Sequence, residues 1–128
     1  MKKLKVLIVD DSSMMRKIVE HALRSAGLEF SEILEASNGA EALAAAEKGG
    51  LDLILSDINM PVMDGLEFLR NLSKIAGGNG IPVVIISTEG SEARVVEALS
   101  LGARGYLRKP FTTEQLKERV MPLIEVLQ

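Results

Sequence analysis

The sequence has no cysteine and no tryptophan, and only one tyrosine and three phenylalanines among its 128 residues. Without cysteine, disulfide bonds and thiolate metal sites are excluded. Aromatic residues make up only 3% of the chain, so aliphatic side chains must fill most of the core. With 47% hydrophobic and 26% charged residues, the length fits one globular domain, residues 1–128.

The sequence also has no long basic run and no apolar run long enough to span a membrane. The 15 basic residues are dispersed and the net charge is −3, which argues against the positive footprint of sequence-independent nucleic-acid binding. The basic start at residues 1–5 precedes an apolar run that ends at Asp10 and Asp11, too short for a signal peptide or membrane span. We expect a cytosolic monomer that binds neither nucleic acid nor a membrane.

Short apolar runs alternate with segments of helical period along the whole chain. The first run is rich in branched residues and lacks polar alternation after Lys5, as expected for a strand covered on both faces. We expect strands at residues 4–9, 33–36, 53–56, 83–86 and 105–108. Strands alternating with helices predict an α/β fold: a doubly wound parallel sheet with helices on both faces and right-handed crossovers.

Capping residues mark the starts of the predicted helices. These are Ser12 or Ser13 and the pairs Asn38 with Glu41, Asp64 with Glu67 and Thr112 with Gln115. The fourth helix is expected from about Ser91 to Leu101. Glycines end several helices, and the glycine-rich segment 77–80 is expected to be a loop.

Two of the predicted helices, the first and the last, carry apolar stripes. In the first helix the stripe joins two rows of residues, Met14, Ile18 and Ala22 with Met15, Val19 and Ala26. We expect Met14 and Met15 to serve packing more than partner binding. The stripe of the last helix is Leu116, Val120, Leu123, Ile124 and Leu127. Pro122 lies within it and should kink the helix or end it early.

Chemically reactive side chains follow four of the predicted strands. Asp10 and Asp11 follow the first strand, Asp57 the third, Ser87 the fourth and Lys109 the fifth. Ligands of open parallel sheets bind beyond the carboxyl ends of the strands. We therefore expect these five side chains, distant in sequence, to converge.

Such a cluster cannot remain ionised without a further cation. Two carboxylates about 4 Å apart repel by roughly 4 kcal/mol at an effective dielectric near 20, and Lys109 alone cannot offset three of them. Either a carboxyl pKa rises or a divalent cation enters, and oxygen ligands favour Mg²⁺. With the incoming anion screened, the Asp57 carboxylate could attack phosphorus and form an aspartyl phosphate. Ser87 could then hydrogen-bond a phosphoryl oxygen.

The motif set resembles that of the receiver domains of two-component response regulators, and most of all the stand-alone chemotaxis type. The resemblance spans the whole chain in the right order. It is carried by Val9-Asp10-Asp11, by Asp57-Ile58-Asn59-Met60-Pro61-Val62-Met63-Asp64-Gly65, by Ile86-Ser87 and by Lys109-Pro110-Phe111. It implies a flavodoxin-like (βα)5 fold with strand order 2-1-3-4-5.

The same resemblance implies roles for individual residues. Asp57 would be phosphorylated, and Mg²⁺ would be held by Asp11 and Asp57 directly, by Asp10 through water and by the Asn59 carbonyl. Lys109 would pair with the phosphate, and the bond to Pro110 would be cis. Asn59 and Glu89 occupy positions that tune how fast the phosphate is lost.

Output is also implied by the resemblance. Ser87 would move towards the phosphate and Tyr106 would turn inward, a two-state packing change that alters a surface including Arg94 and Lys117. The first helix and Pro110 would face a histidine kinase or phosphotransfer domain. The downstream partner would be a protein such as the flagellar motor switch, since we expect no attached output domain. A phosphate sink or relay intermediate is the alternative.

Two other classes share part of this pattern. A Mg²⁺-dependent phosphohydrolase usually needs a second acid near the nucleophile and a cap, but Asn59 stands two residues after Asp57 and no insertion is present. A flavin or nucleotide binder needs a glycine-rich first turn, where this chain has Asp10 to Ser13, and the 77–80 glycines lack a Gly-Lys-Thr ending. We expect His21 to lie on a solvent-exposed helix face and to have no catalytic role. We expect a signalling protein that catalyses only its own phosphorylation and dephosphorylation.

Overall fold

The computed structural model describes residues 3–125, apart from the side chains of residues 79 and 125. Within this range, five strands alternate with five helices. The strands are β1 (Leu4–Val9), β2 (Phe30–Ala36), β3 (Leu53–Ser56), β4 (Val83–Ser87) and β5 (Gly105–Arg108). The helices are α1 (Ser13–Ser25), α2 (Gly39–Glu47), α3 (Gly65–Leu72), α4 (Glu92–Ser100) and α5 (Thr113–Glu125).

The strands form one parallel sheet of order β2-β1-β3-β4-β5, which confirms the predicted α/β fold and strand order. Successive residues of β1 point to opposite faces, so Leu7 and Val9 join one core while Val6 and Ile8 join the other. Helices α2, α3 and α4 cover the first face, and α1 and α5 cover the second. The middle strands β1, β3 and β4 are thereby buried on both sides.

The helix caps predicted from sequence are present, and Ser91 caps α4 as well. The side chains of Ser12, Asn38, Asp64 and Ser91 each accept a hydrogen bond from a backbone amide three residues later. At the start of α5, the Thr112 hydroxyl accepts from the Gln115 amide and the Gln115 side chain accepts from the Thr112 amide. These bonds satisfy amides that have no partner inside the helix.

Several element boundaries differ from the sequence-based expectation. Strand β4 extends one residue further than predicted, to Ser87. Strand β2 begins at Phe30, three residues earlier than predicted, because this edge strand includes the exposed polar residues Ser31 and Glu32, which do not belong to an apolar run. The predicted loop 77–80 contains a single 3-10 turn, Gly78–Gly80. Helix α5 does not end early at Pro122 but continues to Glu125. Leu127 lies outside the described residues.

The predicted stripe of α1 is wrong at its start. The residues buried in α1 are Val19, Ala22 and Leu23, whereas Met14 is 71% exposed and Ile18 is 45% exposed. The buried face of α1 instead runs through Met15, Val19, Ala22 and Leu23, so Met14 and Ile18 lie to one side of it. No helix within residues 3–125 combines the length and apolar character needed to cross a membrane.

Candidate functional site

Three carboxylates meet at the carboxyl edge of the sheet. Oxygen atoms of Asp10, Asp11 and Asp57 lie within 4.8 Å of one another, and Asp10 and Asp57 are buried. Backbone hydrogen bonds to neighbouring strands position two of the three. The Asp57 amide donates to the Val9 carbonyl at 2.9 Å, and the Asp10 amide donates to the Ala36 carbonyl at 3.0 Å. The predicted convergence of these residues is confirmed.

Lys109 binds two of the three carboxylates. Its Nζ lies 2.7 Å from Asp10 Oδ2 and 3.0 Å from Asp57 Oδ2. Burial by itself would lower the pKa of Lys109, but the hydrogen bonds to Asp10 and Asp57 outweigh it, and the pKa is raised overall. The lysine backbone is positioned too, because its amide donates to the Ser87 carbonyl at 2.9 Å. The Lys109–Pro110 peptide bond is cis.

The Asp57 side chain is held at both oxygens. Oδ1 accepts the Ile58 amide at 2.6 Å, and Oδ2 accepts the ammonium of Lys109. Its backbone carbonyl accepts the hydroxyl of the buried Ser56 at 2.8 Å. A β-carbon added to Gly65 would stand 2.2 Å from that carbonyl oxygen, so only glycine allows α3 to start this close. The orientation of Asp57 is therefore set by its neighbours.

Sequence reasoning missed the contributions of Ser56 and Gly65. One signal for Gly65 was available: it is the first residue of α3, directly after the cap Asp64, where most other residues favour a helix more than glycine does. Ser56 gave no signal of its own, since a serine at the end of an apolar run is also common in turns.

Asp10 and Asp11 differ in their contacts. Asp10 Oδ1 accepts the Ser12 amide at 2.9 Å, and the Asp10 carbonyl accepts Nη1 of Arg16 at 2.6 Å. Asp11 is exposed and has no hydrogen-bond partner among residues 3–125. One carboxylate of the cluster is thus available for a ligand from solvent, while the other two are already oriented.

The hydroxyls of Ser87, at the end of β4, and Tyr106, on β5, both bond to Glu89 in the loop that follows β4. Ser87 is fully buried, and its hydroxyl accepts the Glu89 amide at 3.1 Å, while the Tyr106 hydroxyl donates to the Glu89 carbonyl. Burial raises the pKa of Tyr106, and the negative charge of Glu89 acts in the same direction. Ser87 lies at the carboxyl edge as predicted, but its hydroxyl contacts this loop instead of the carboxylates.

Glu89 and Asn59 flank the cluster. The Glu89 carboxylate accepts the Ser91 amide at 3.3 Å, and this bond holds its pKa below the ordinary value. Asn59 is exposed on the loop after β3. The metal contact of its carbonyl and the influence of both residues on phosphate loss remain predictions. His21 is exposed on α1, as expected.

An apolar groove of about 390 Å³ borders the cluster. It is lined by Met15, Ile18, Thr88, Lys109, Pro110 and Phe111. Because Lys109 belongs to both the groove and the cluster, a partner seated in the groove would lie next to Asp57.

The donor set fits Mg²⁺. Every candidate ligand is an oxygen atom, and three carboxylates within 4.8 Å outnumber the single ammonium that contacts them. Hard divalent cations prefer such oxygen ligands, and a cation would remove the remaining repulsion.

Comparison with known proteins assigns the family. Residues 6–121 match the sequence model of the family described as "Response regulator receiver domain". The chain belongs to the response regulator receiver family. It is 40% identical to the chemotaxis protein CheY-3 of Vibrio cholerae over 126 residues, which cover 98% of this chain and 95% of the relative.

Solved structures of the family superpose closely. The chemotaxis protein CheY4 of Vibrio cholerae has 39% identity and a TM-score of 0.84, with 95% of this chain and 99% of that chain covered. A Borrelia burgdorferi structure described as a CheX-CheY-BeF3-Mg²⁺ complex has 31% identity and a TM-score of 0.85, with 94% and 89% covered. This receiver domain is therefore of the CheY type, that of chemotaxis response regulators.

Proposed function

We propose that this receiver domain is a phosphoacceptor of a two-component pathway, acting in the cytosol. The observation that carries the proposal is the buried carboxylate pair Asp10 and Asp57, bridged by Lys109, with Asp11 free to take a cation.

Asp57 is the phosphate acceptor in this proposal. An oxygen of its carboxylate attacks the phosphorus atom of a phosphohistidine or of acetyl phosphate. The donor's bond to phosphorus breaks, and its electron pair leaves with the donor. Because both Asp57 oxygens are held before the donor arrives, little orientational freedom is lost on the way to the transition state.

Lys109 supplies the positive charge beside Asp57, and its hydrogen bonds to Asp10 and Asp57 raise its pKa. Its ammonium, 3.0 Å from Asp57 Oδ2, can turn from the carboxylate to an oxygen of the transferred group. Phosphoryl transfer depends mainly on positioning and charge neutralisation, and a preoriented ammonium supplies both.

Asp10, Asp11, Asp57 and the Asn59 carbonyl would hold Mg²⁺ in this proposal. When bound, the ion neutralises charge on the phosphoryl oxygens and on the carboxylates. The Mg²⁺ and BeF3 of the Borrelia burgdorferi CheY complex support this assignment by similarity. The residues needed are present, and all of them lie at the carboxyl edge of the sheet.

The switch would be formed by Ser87 and Tyr106. Before phosphorylation the Ser87 hydroxyl is bonded to the Glu89 amide, and Tyr106 is bonded to the Glu89 carbonyl. A phosphoryl group on Asp57 offers Ser87 a charged acceptor, and charge-assisted hydrogen bonds are the stronger ones. Moving Ser87 would free space for Tyr106 and change the surface of α4, β5 and α5.

The phosphodonor would dock in the apolar groove beside Lys109. Its walls are mostly carbon, and the exposed Met14 and Ile18 extend the apolar surface along α1. Such a surface suits the helices of a histidine kinase or phosphotransfer domain, which must bring a phosphohistidine to Asp57. The CheX-CheY complex shows that a relative binds a protein partner, and we propose a motor-switch or similar protein as the output partner here.

Labelling with acetyl phosphate tests the acceptor. We expect one phosphoryl group per chain, labile to base and to hydroxylamine as an acyl phosphate is, in the presence of Mg²⁺, none with EDTA, and none in Asp57→Asn. Asp52→Asn is the matched control, since Asp52 precedes the same strand at its opposite end. Intact mass spectra provide the measurement, and labelling of Asp57→Asn at the parent level would refute the assignment.

Output and relay can be separated with the stable analogue beryllofluoride. If the protein acts through a motor switch, purified switch protein should bind the beryllofluoride form more tightly than the free form. If it acts as a sink or relay, the phosphoryl group should instead pass to a histidine on a phosphotransfer domain. A Lys109→Arg variant should accept phosphate without the change in affinity, because a planar guanidinium cannot replace a compact ammonium.

A further inference from the structure

Arg16 links three elements around the carboxylate cluster. From the second turn of α1, its Nη1 donates to the Asp10 carbonyl at 2.6 Å and its Nε donates to Glu35 Oε1 at 2.8 Å. Its own amide donates to the Ser12 carbonyl, and Glu35 lies on β2. The guanidinium thus joins the end of β1, the start of α1 and the edge strand.

These contacts differ from an ordinary surface ion pair. The Arg16 side chain is only 17% exposed, although Glu35 is 48% exposed. Elsewhere on α1, Arg24 pairs with Glu20 with 56% and 35% of the side chains exposed. Exposed pairs contribute little to stability. A half-buried guanidinium whose second nitrogen is bonded to a backbone carbonyl instead restricts the geometry of that peptide.

The peptide held by Arg16 carries Asp11. The Asp10 carbonyl belongs to the peptide plane between Asp10 and Asp11, and this plane fixes the positions of the Asp11 N and Cα atoms, from which the side chain extends. Asp11 has no hydrogen bond of its own among the described residues to hold it near Asp57. Its placement within 4.8 Å of the other carboxylates therefore depends on backbone contacts.

We propose that Arg16, anchored by Glu35, is a positioning residue for the magnesium site. By holding the Asp10–Asp11 peptide, it keeps the Asp11 carboxylate facing Asp57 before the ion arrives. The inference rests on the proposed function, in which these carboxylates bind Mg²⁺. Arginine suits the task because its planar fork donates to two acceptors at once, whereas a lysine ammonium is a compact point donor.

Calorimetric titration with Mg²⁺ at pH 7 tests the proposal. We expect Arg16→Met to raise the Mg²⁺ Kd about tenfold or more, as removal of a residue that orients a ligand commonly does. Arg16→Lys should show a smaller loss. Arg24→Met, the same change in an exposed pair of the same helix, should stay within about twofold of the parent. Equal affinities in the parent and in Arg16→Met would overturn the inference.

Substitution of Glu35, which binds the Arg16 guanidinium, provides a second test with a smaller expected effect. Glu35→Ala leaves Arg16 in place but removes the group that holds its guanidinium, so the Mg²⁺ affinity should fall by less than in Arg16→Met. Glu35→Gln retains an acceptor oxygen and should restore most of the loss. An Ala variant with the affinity of the parent would contradict the role of the anchor, even if Arg16→Met proved unstable.

Two further readouts separate positioning from simple stabilisation. Urea unfolding in EDTA reports the stability of each variant, and titrations are made only where it remains folded. With acetyl phosphate, the rate for Arg16→Met should approach that of the parent at saturating Mg²⁺, since only ion uptake is impaired. A rate that remained low at saturation would refute a role confined to the ion. A parent that binds no Mg²⁺ would instead refute the proposed function.

Discussion

The two ends of the sheet carry the same kinds of charged side chain in different surroundings. At the amino end, Lys5 lies 3.9 Å from Glu32, and these side chains are 28% and 53% exposed. At the carboxyl end, Lys109 lies 2.7 Å from Asp10 and 3.0 Å from Asp57, and all three side chains are at most 12% exposed. A pair in water is screened, whereas buried charges act on one another at short range. Burial therefore distinguishes the site from an ordinary ion pair.

The backbone differs between the ends as well. Near the amino end, the left-handed residues before β3 are glycines, Gly49 at φ +79° and Gly50 at +84°. On the loop after β3, at the carboxyl end, Val62 has φ +68° and is the only residue other than glycine with positive φ among residues 3–125. A branched residue is strained there, so this strain lies on the loop that follows Asp57.

Removal of each lysine should give the largest contrast. Lys109→Met leaves two buried carboxylates without their shared cation, and we expect the free energy of unfolding to fall by about 3 kcal/mol at pH 7. Lys5→Met removes a partly exposed pair and should cost about 0.5 kcal/mol or less. Urea unfolding in EDTA measures both values. Equal losses would show that burial does not separate the two ends.

Removal of one carboxylate from the cluster should instead raise the free energy of unfolding. Asp11→Asn relieves repulsion in the metal-free cluster and should raise the free energy of unfolding by about 1 kcal/mol, less than the full Coulomb term because Asp11 is exposed. Mg²⁺ should stabilise the parent but hardly affect the variant. At the amino end, Glu32→Gln should change stability by less than about 0.5 kcal/mol. A destabilised Asp11→Asn protein in EDTA would contradict this reading of the cluster.

What could be predicted from the sequence depends on which interactions decide each feature. Apolar runs fix strands such as Leu4–Val9, because a strand covered on both faces has no other place to bury them. The meeting of Asp10, Asp11, Asp57 and Lys109 followed from parallel topology alone. Met14 was misplaced because both rows of the predicted stripe are apolar, and periodicity does not tell which of them faces the sheet. Arg16 was missed because its bond to the Asp10 carbonyl depends on tertiary geometry that no spacing encodes.

The backbone difference between the two ends can be tested by introducing a glycine at position 62 and by replacing the glycine at position 49. Val62 is 82% exposed, so Val62→Gly loses little packing, and release of strain should raise the free energy of unfolding by about 1 kcal/mol. Gly49→Ala places a β-carbon at a left-handed position and should lower it by about 1 kcal/mol. A loss of stability in Val62→Gly would mean that the Val62 side chain makes contacts that compensate for its backbone.

The smallest expected effect is a pH dependence at the carboxyl end. The folded-state pKa values of Lys109 and Tyr106 are both raised above the ordinary values of 10.5 and 10.0. For Lys109, burial opposes the shift but the bonds to Asp10 and Asp57 outweigh it; for Tyr106, burial and then Glu89 cause it. Each group binds its proton more tightly when folded, so its contribution to stability is complete below the ordinary pKa and is lost as the pH rises through the folded-state value. Urea unfolding between pH 8 and 11 should show stability falling less steeply in Tyr106→Phe, and less steeply in Lys109→Met, than in the parent. Both groups are in part accessible to solvent, so screening keeps the change in stability small. If the variants lost stability with rising pH as steeply as the parent, other groups of the chain would be responsible for the loss at alkaline pH.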